Sequence, residues 1–189
     1  MVCFLSRMYQ PAYHSSFNNL ETKKACGCFI LPLKTKVKGP APSENNAEQD
    51  DVIDEVLKYF KANVLFRKFQ IEDGADRVLI YLTVYVHQCL LRLERKNVQN
   101  RGEADKVLFS LAQERFALPG ESDFVLGGFF PKPENATEKS LIEGFLKQAR
   151  EETGLRLLDK IFVDGPTQPP SKYWMQFARH KFLNKAFEN

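Results

Sequence analysis

The chain has 189 residues, a formal net charge of +3 and 43% hydrophobic residues, which suits one domain with a sizeable core. The mild net charge gives no case for a nucleic-acid partner, and four cysteines in a chain of this size do not form a disulfide scaffold. Cys26 and Cys28 are too close together for half of a usual zinc site, so we expect no metal and reduced thiols. The first residues contain too short an apolar stretch for a signal peptide, and we expect a cytoplasmic protein without membrane insertion.

The first 49 residues show little helical periodicity and are punctuated by prolines. This pattern predicts an extended N-terminal segment, with residues 29–31 as a short strand or an extended stretch laid on the core. A first helix follows, opened by Asp50 and Asp51, whose carboxylates can cap free backbone N–H groups. Its predicted buried stripe consists of Ile53, Val56, Leu57, Phe60 and Val64.

The most apolar part of the chain runs from Val78 to Leu91, interrupted by Thr83, His87 and Gln88. It is shorter than the roughly 20 residues of a membrane span and is flanked by charged residues. Its apolar residues cover every side of a helical wheel, and such a helix must be surrounded by protein. We therefore predict an all-α single domain of about five helices, with this apolar helix surrounded by the others.

Three further helices are predicted along the chain. One spans residues 103–115, and the next has Thr137 as its N-cap and ends at Gly154, with residues 155–162 as a separate short helical segment after it. The last is capped by Ser171 and continues to residue 185. The irregular residues 116–133 contain apolar rings that either pack on the core or are covered by a partner.

A search for catalytic motifs finds no P-loop, no dinucleotide-binding glycine pattern and no nucleophile elbow. The histidines are far apart, and His87 is interpreted as a hydrogen-bonded core residue. Residues 151–155 resemble the end of a Nudix box, whose glutamates hold magnesium. The rest of that box fails, because Lys139, Lys147 and Gln148 occupy positions that need carboxylate or arginine. The simpler interpretation is two exposed glutamates in a last helical turn before a glycine C-cap, so we expect no catalytic residue and no cofactor.

Several segments, taken together and in order, resemble one family. They are PAYHS at 11–15, KGPAP at 38–42, DE at 54–55, YFKANV at 59–64, ADR at 75–77, LIY at 79–81, PGE at 119–121, ETGLRL at 152–157 and PSKYW at 170–174. The family is subunit 3, the 21-kDa subunit, of the actin-related protein 2/3 complex. The resemblance covers about residues 11–187, and the ordered set is much more specific than any single segment.

This resemblance implies a fold in which one helix is encircled by others, and a seven-subunit assembly that nucleates branched actin filaments on the side of a mother filament. It implies a non-catalytic structural subunit that contacts chiefly the actin-related protein 3 subunit and lies near the actin filament. The localisation implied is the cytoplasmic actin cytoskeleton. Residues 1–10 precede the usual start of the family and are expected to be a poorly ordered extension to a domain at 11–189.

Two other functions remain open on the sequence alone: a Nudix-like phosphohydrolase and a free-standing helical adaptor. A partner surface is the kind of functional site that the residues favour. Its candidate residues are the basic Lys172, Arg179 and Lys181 and the apolar Phe129 and Phe130.

Overall fold

The computed structural model describes residues 12–44, 46 and 48–187, so the expectation about residues 1–10 lies outside the described part. The helices are α1 (Val52–Asn63), α2 (Gly74–Arg95), α3 (Arg101–Gln113), α4 (Ala136–Ile161) and α5 (Lys172–Met175). Single 3₁₀ turns lie at Ser16–Asn19, Gly127–Phe129, Gln176–Arg179 and Phe182–Asn184. The strands β1 (Lys24–Ala25) and β2 (Cys28–Phe29) pair antiparallel through a tight turn. The predicted all-α fold of five helices is confirmed.

Helix α2 is the centre of the fold, as its sequence predicted. Asp73 caps its N-terminus by accepting a hydrogen bond from the Gly74 N–H. The predicted core residues Leu79, Leu82, Val86 and Leu90 are all fully buried. Helices α1, α3 and α4, strand β2 and the C-terminal turns pack around α2. No helix in the described part of the chain meets the length and hydropathy needed to span a membrane.

Helix α1 starts with a capping box in which Asp51 accepts from the Asp54 N–H and Asp54 accepts from the Asp51 N–H. Asp51 is almost completely buried. The stripe predicted for this helix is confirmed, because all five of its residues are buried. The cap thus fixes where α1 starts, and the stripe fixes which face meets α2.

Arg156 of α4 joins three parts of the fold. Its guanidinium lies 2.7 Å from an oxygen of Asp51 and 3.0 Å from Asp54 at the start of α1, and 2.7 Å from Glu152 one turn earlier in α4. It also donates to the carbonyl of Lys34 in the N-terminal segment. Burial alone would raise the pKa of Asp54, but the hydrogen bond from Lys34 and the charge of Arg156 outweigh it and lower that pKa.

Two predictions about α4 are wrong. Its N-cap is Asn135, whose side chain accepts from the Glu138 N–H, and the helix continues through Gly154 to Ile161. Gly154 is buried beside α3, where an added Cβ would lie 3.6 Å from the Cβ of Leu108, an ordinary contact distance. Leu155 is exposed, but Leu157, Leu158 and Ile161 pack on the core, so burial continues the helix past its glycine.

The predicted continuous helix over residues 171–185 is also wrong. Only Lys172–Met175 is α-helical, and single 3₁₀ turns follow. Leu183 and Asn184 have φ of +53° and +56°, which an α-helix does not allow. Tertiary contacts explain the change of direction, because the Leu183 N–H donates to the carbonyl of Phe66 at 3.0 Å.

The first prediction concerns the enclosed helix. Leu82→Ala should lower the free energy of unfolding by about 2–5 kcal/mol, because it leaves a cavity in a fully buried site. Phe109→Ala on α3 is the control, since that ring is 56% exposed and its loss should cost under about 0.5 kcal/mol. Urea unfolding followed by far-ultraviolet circular dichroism measures both, and equal midpoints would contradict the enclosed helix.

The second prediction concerns the arginine that joins α4 to α1. Arg156→Leu should lower the free energy of unfolding by about 3 kcal/mol, because Asp51 is left buried without a counter-ion. The control is Arg115→Leu, which breaks an ion pair with Glu121 whose arginine is 73% exposed and should cost under about 1 kcal/mol. If Arg156→Leu lowers the free energy of unfolding no more than the control does, the ion pairs of Arg156 do not stabilise the fold.

Candidate partner surface

The C-terminal segment is anchored on α1 by aromatic rings. The ring of Trp174 stacks on Phe60 with centroids 5.8 Å apart, and Phe177 meets the same ring edge-on at 6.1 Å. Trp174 is 7% exposed, and Phe177 is partly buried. These rings complete the core, and they hold the basic residues that follow them against the end of α1.

Arg179 and Lys181 of this segment line a shallow cavity of about 380 Å³, which we call the basic cleft, whereas Lys172 does not reach it. Its lining consists of Val64, Leu65, Arg67, Arg179, His180, Lys181 and Asn184, without any carboxylate. Arg67 and Lys181 form no ion pair with any residue that the structure describes. Arg179 lies 3.1 Å from Glu94 of α2, but its side chain is 82% exposed, so the pair is weak.

Lys172 starts the same segment and is exposed. The ring of the next residue, Tyr173, is contacted by the ammonium of Lys61 from α1 at 3.7 Å, and that ammonium lies 4.3 Å from the ring of Trp174. Burial lowers the pKa of Lys61. The predicted basic residues therefore lie beside further cations from α1 and the segment after it.

Phe129 and Phe130 lie elsewhere on the molecule. The carbonyl of Phe129 accepts a hydrogen bond from Arg77 Nε, near the N-terminal end of α2. Phe130 is 5% exposed and packs edge-on against Phe124, so its ring belongs to the core. Arg77 and Glu94 are about 25 Å apart along α2, and the structure does not bring the two predicted groups together. A partner role for the aromatic pair stays a prediction.

His87 has the structural role that was predicted for it. It is 1% exposed, and its Nε2 lies 3.0 Å from the carbonyl of Ala178 in the C-terminal segment. Burial is the main cause that lowers the pKa of His87, with nearby Lys181 acting in the same direction. The histidine joins the C-terminal segment to α2.

The residues of the partial Nudix box are engaged by other parts of the protein. Glu152 is not exposed as expected: it is buried and accepts from the hydroxyl of Thr35 at 2.6 Å and from Arg156. Gln148 accepts from the Ala41 N–H and donates to the carbonyl of Val37. These contacts hold the N-terminal segment on α4.

One described cluster has side chains that could ligate a metal. His14, Glu72 and Asp76 place one ligand atom each within 4.8 Å of one another. Asp76 is fully buried and accepts from His14 Nδ1 at 2.8 Å, the Ser15 N–H at 2.8 Å and the Glu72 N–H at 2.9 Å. Its oxygens are used to hold residues 14 and 15 on α2, so we assign this cluster a structural role.

Comparison with known proteins identifies the family of the chain. Residues 10–187 match the model of the P21-Arc family, described as the ARP2/3 complex ARPC3 (21 kDa) subunit. The proteins named actin-related protein 2/3 complex subunit 3 in Dictyostelium discoideum and Arabidopsis thaliana are each 43% identical to this chain. The alignments cover 92% and 91% of this chain and 98% and 97% of those relatives. The protein of the same name in Saccharomyces cerevisiae is 38% identical over 93% of this chain and 99% of its own length.

The structure is that of a helical protein. Its buried polar side chains hold the N-terminal and C-terminal segments of the same chain in place. The matches make the assignment specific, since the family model covers more than half of the chain. The chain belongs to the family of the 21-kDa subunit, subunit 3, of the ARP2/3 complex. The predicted family resemblance is thereby confirmed.

The third prediction tests the enzymatic alternative. We expect no magnesium-dependent hydrolysis of nucleoside diphosphate derivatives, because Glu152 is engaged by Thr35 and Arg156 and Lys139 is paired with Glu121. Release of phosphate or mononucleotide from purified protein is the measurement. Turnover that disappears in the Glu151→Gln, Glu152→Gln double variant would show that the chain is an enzyme.

Proposed function

We propose that this chain is a non-catalytic structural subunit of the ARP2/3 complex, the seven-subunit assembly that nucleates branched actin filaments on the side of a mother filament. The observation that carries the proposal is the family match over residues 10–187, together with relatives of the same name that align over nearly their full length. Residues 11–189 are proposed as one domain, supported by a continuous core that includes Ala25 and Leu183.

The proposed partners are the other subunits of the complex, chiefly the actin-related protein 3 subunit, and the actin filament. The proposed localisation is the cytoplasmic actin cytoskeleton. Support comes from the basic cleft, since actin and its relatives are acidic and exposed cations steer the approach of an acidic partner.

Affinity purification of the tagged chain from cells tests the proposal. A structural subunit should bring down the six other subunits in fixed proportion. A free-standing adaptor, the remaining alternative, would be recovered without them, and that result would overturn the proposal.

The fourth prediction assigns a role to the basic cleft. Changing Arg179 and Lys181 together to Glu should leave the fold intact, since both side chains are exposed, but weaken association with neighbouring subunits or the filament. The effect should fade as salt rises, because exposed charges are screened within about 8 Å at physiological ionic strength.

The matched control changes Lys106 of α3 and Lys160 of α4 to Glu, which alters the net charge equally at other exposed positions. Circular dichroism confirms folding, and assembly and branched nucleation are measured at low and high salt. If both double variants assemble and support branched nucleation equally well at low salt, the basic cleft serves only solubility.

A further inference from the structure

Exposed apolar groups that the fold leaves uncovered flank α1 on two sides and at its C-terminal end. Tyr13 is 45% exposed, Leu65 is 60% exposed and Tyr173 is 64% exposed. Tyr13 stacks on Tyr59 of α1 with centroids 4.6 Å apart and an angle of 3° between the rings. Tyr173 lies at another side of α1, against Lys61. Aromatic side chains are enriched in the energetically dominant parts of protein interfaces.

The position of Tyr13 is fixed by a buried residue. Asn63, which is 1% exposed, accepts from the Tyr13 N–H at 2.9 Å and donates to the Tyr13 carbonyl at 3.0 Å. The adjacent His14 is bonded to the buried Asp76. The exposed ring therefore projects from an anchored backbone, and little conformational entropy remains to be lost when a partner covers it.

Tyr173 is fixed in a comparable way on the other side. Trp174, the next residue, is buried against Phe60, and the Ser171 N–H donates to the carbonyl of Ile161 at 2.8 Å. The ammonium of Lys61 covers one face of the tyrosine ring. We call the set Tyr13, Lys58, Tyr59, Lys61 and Tyr173 the tyrosine–lysine platform.

The lysines in and beside this platform come from two segments without acidic residues, although Asp50 and Glu55 of the preceding turn line the same cavity as Lys58 and Tyr59. Residues 56–71 and 165–187 each contain four Lys or Arg and no Asp or Glu. These two segments pack together, and since the whole chain has a net charge of only +3, the remainder is net acidic. Lys58, Lys61 and Lys172 have no carboxylate partner within the described residues.

We propose that the tyrosine–lysine platform is a docking site for a neighbouring protein subunit that presents carboxylates beside aliphatic side chains. Carboxylates would accept hydrogen bonds from the lysine ammonium groups and the tyrosine hydroxyls, and aliphatic groups would cover Leu65 and the exposed ring surface. The inference rests on the proposed function, because it assumes that the chain assembles with other subunits, and it adds a surface and the chemistry of its partner.

A protein occupant fits this platform better than a nucleic acid. Bases stack on open aromatic faces, and here Tyr59 and Lys61 each already cover one face of the exposed tyrosines, which leaves a single face per ring. A second copy of the chain also fits poorly, because a two-fold interface would bring the same unpaired cations into contact with themselves. Binding of a nucleic acid and formation of a homodimer are both outcomes that the experiment below can detect.

The experiment is competitive incorporation. Wild-type and variant chains with different tags are expressed together, the complex is purified through another subunit, and the ratio of the tags is measured. Tyr13→Ala with Tyr173→Ala should reduce incorporation at least about tenfold relative to wild type. Lys58→Glu with Lys172→Glu should also reduce it, and only this second loss should shrink as salt rises.

Phe109→Ala, which removes a ring of similar exposure from α3, and the Lys106→Glu, Lys160→Glu pair are the controls and should stay near a ratio of one. Ratios near one for both platform variants would overturn this inference alone. The inference would also be overturned if nuclease treatment removed the other subunits from the chain, or if the wild-type chain formed a homodimer that the platform variants disrupt. Failure of the wild-type chain to incorporate would overturn the proposed function and this inference with it.

Discussion

The enclosure of α2 is the constraint on which the rest of the structure depends. A helix that is apolar on every side gains its stability only when all of its surface is covered, and α1, α3 and α4 cover just part of it. The N-terminal and C-terminal segments supply the rest in largely irregular conformations, so their backbone groups need partners. Buried carboxylates meet this need: Asp76 accepts from the Ser15 N–H, and Glu55 accepts from the Ser16 N–H and the Ser15 hydroxyl. Packing around one helix thus explains why Asp76 and Glu55 are buried as hydrogen-bonded carboxylates.

The elements that could be predicted from the sequence are those whose start and periodicity are both local. Asp51 with the stripe from Ile53 to Val64 defined α1, and the unbroken apolar run defined α2. Gly154 misled because a glycine is only a local signal, and burial of Leu157 and Ile161 outweighed it. The C-terminal segment misled for the opposite reason: its residues allow a helix, but the contacts of Ala178 with His87 and of Leu183 with Phe66 turn the chain. Those partners are distant in sequence, so no local pattern reveals them.

The residues of the candidate surface, like the helices, could be predicted only where the signal is local in the sequence. Sequence reasoning identified Arg179 and Lys181, which act within one short segment, but it missed the contribution of Arg67 from the segment after α1. A signal was present, because residues 56–71 and 165–187 are both free of acidic residues. Only the fold shows that these segments are neighbours. Phe130 was grouped with the basic residues on composition, whereas the structure places its ring in the core at the other end of α2.

The same buried contacts that complete the core also make the surface rigid. Asn63 anchors Tyr13, and Trp174 anchors Tyr173, so the rings that remain exposed are held by residues that do not themselves reach the surface. Rigid exposed rings lose little freedom on binding, which favours association over a broad face rather than in a deep cleft. Residues 56–71 and 165–187, which lie beside those rings, contain no acidic residue, whereas the remainder of the chain is net acidic. For a subunit that must be oriented within an assembly, this asymmetry is useful, because an acidic partner is attracted to the basic face.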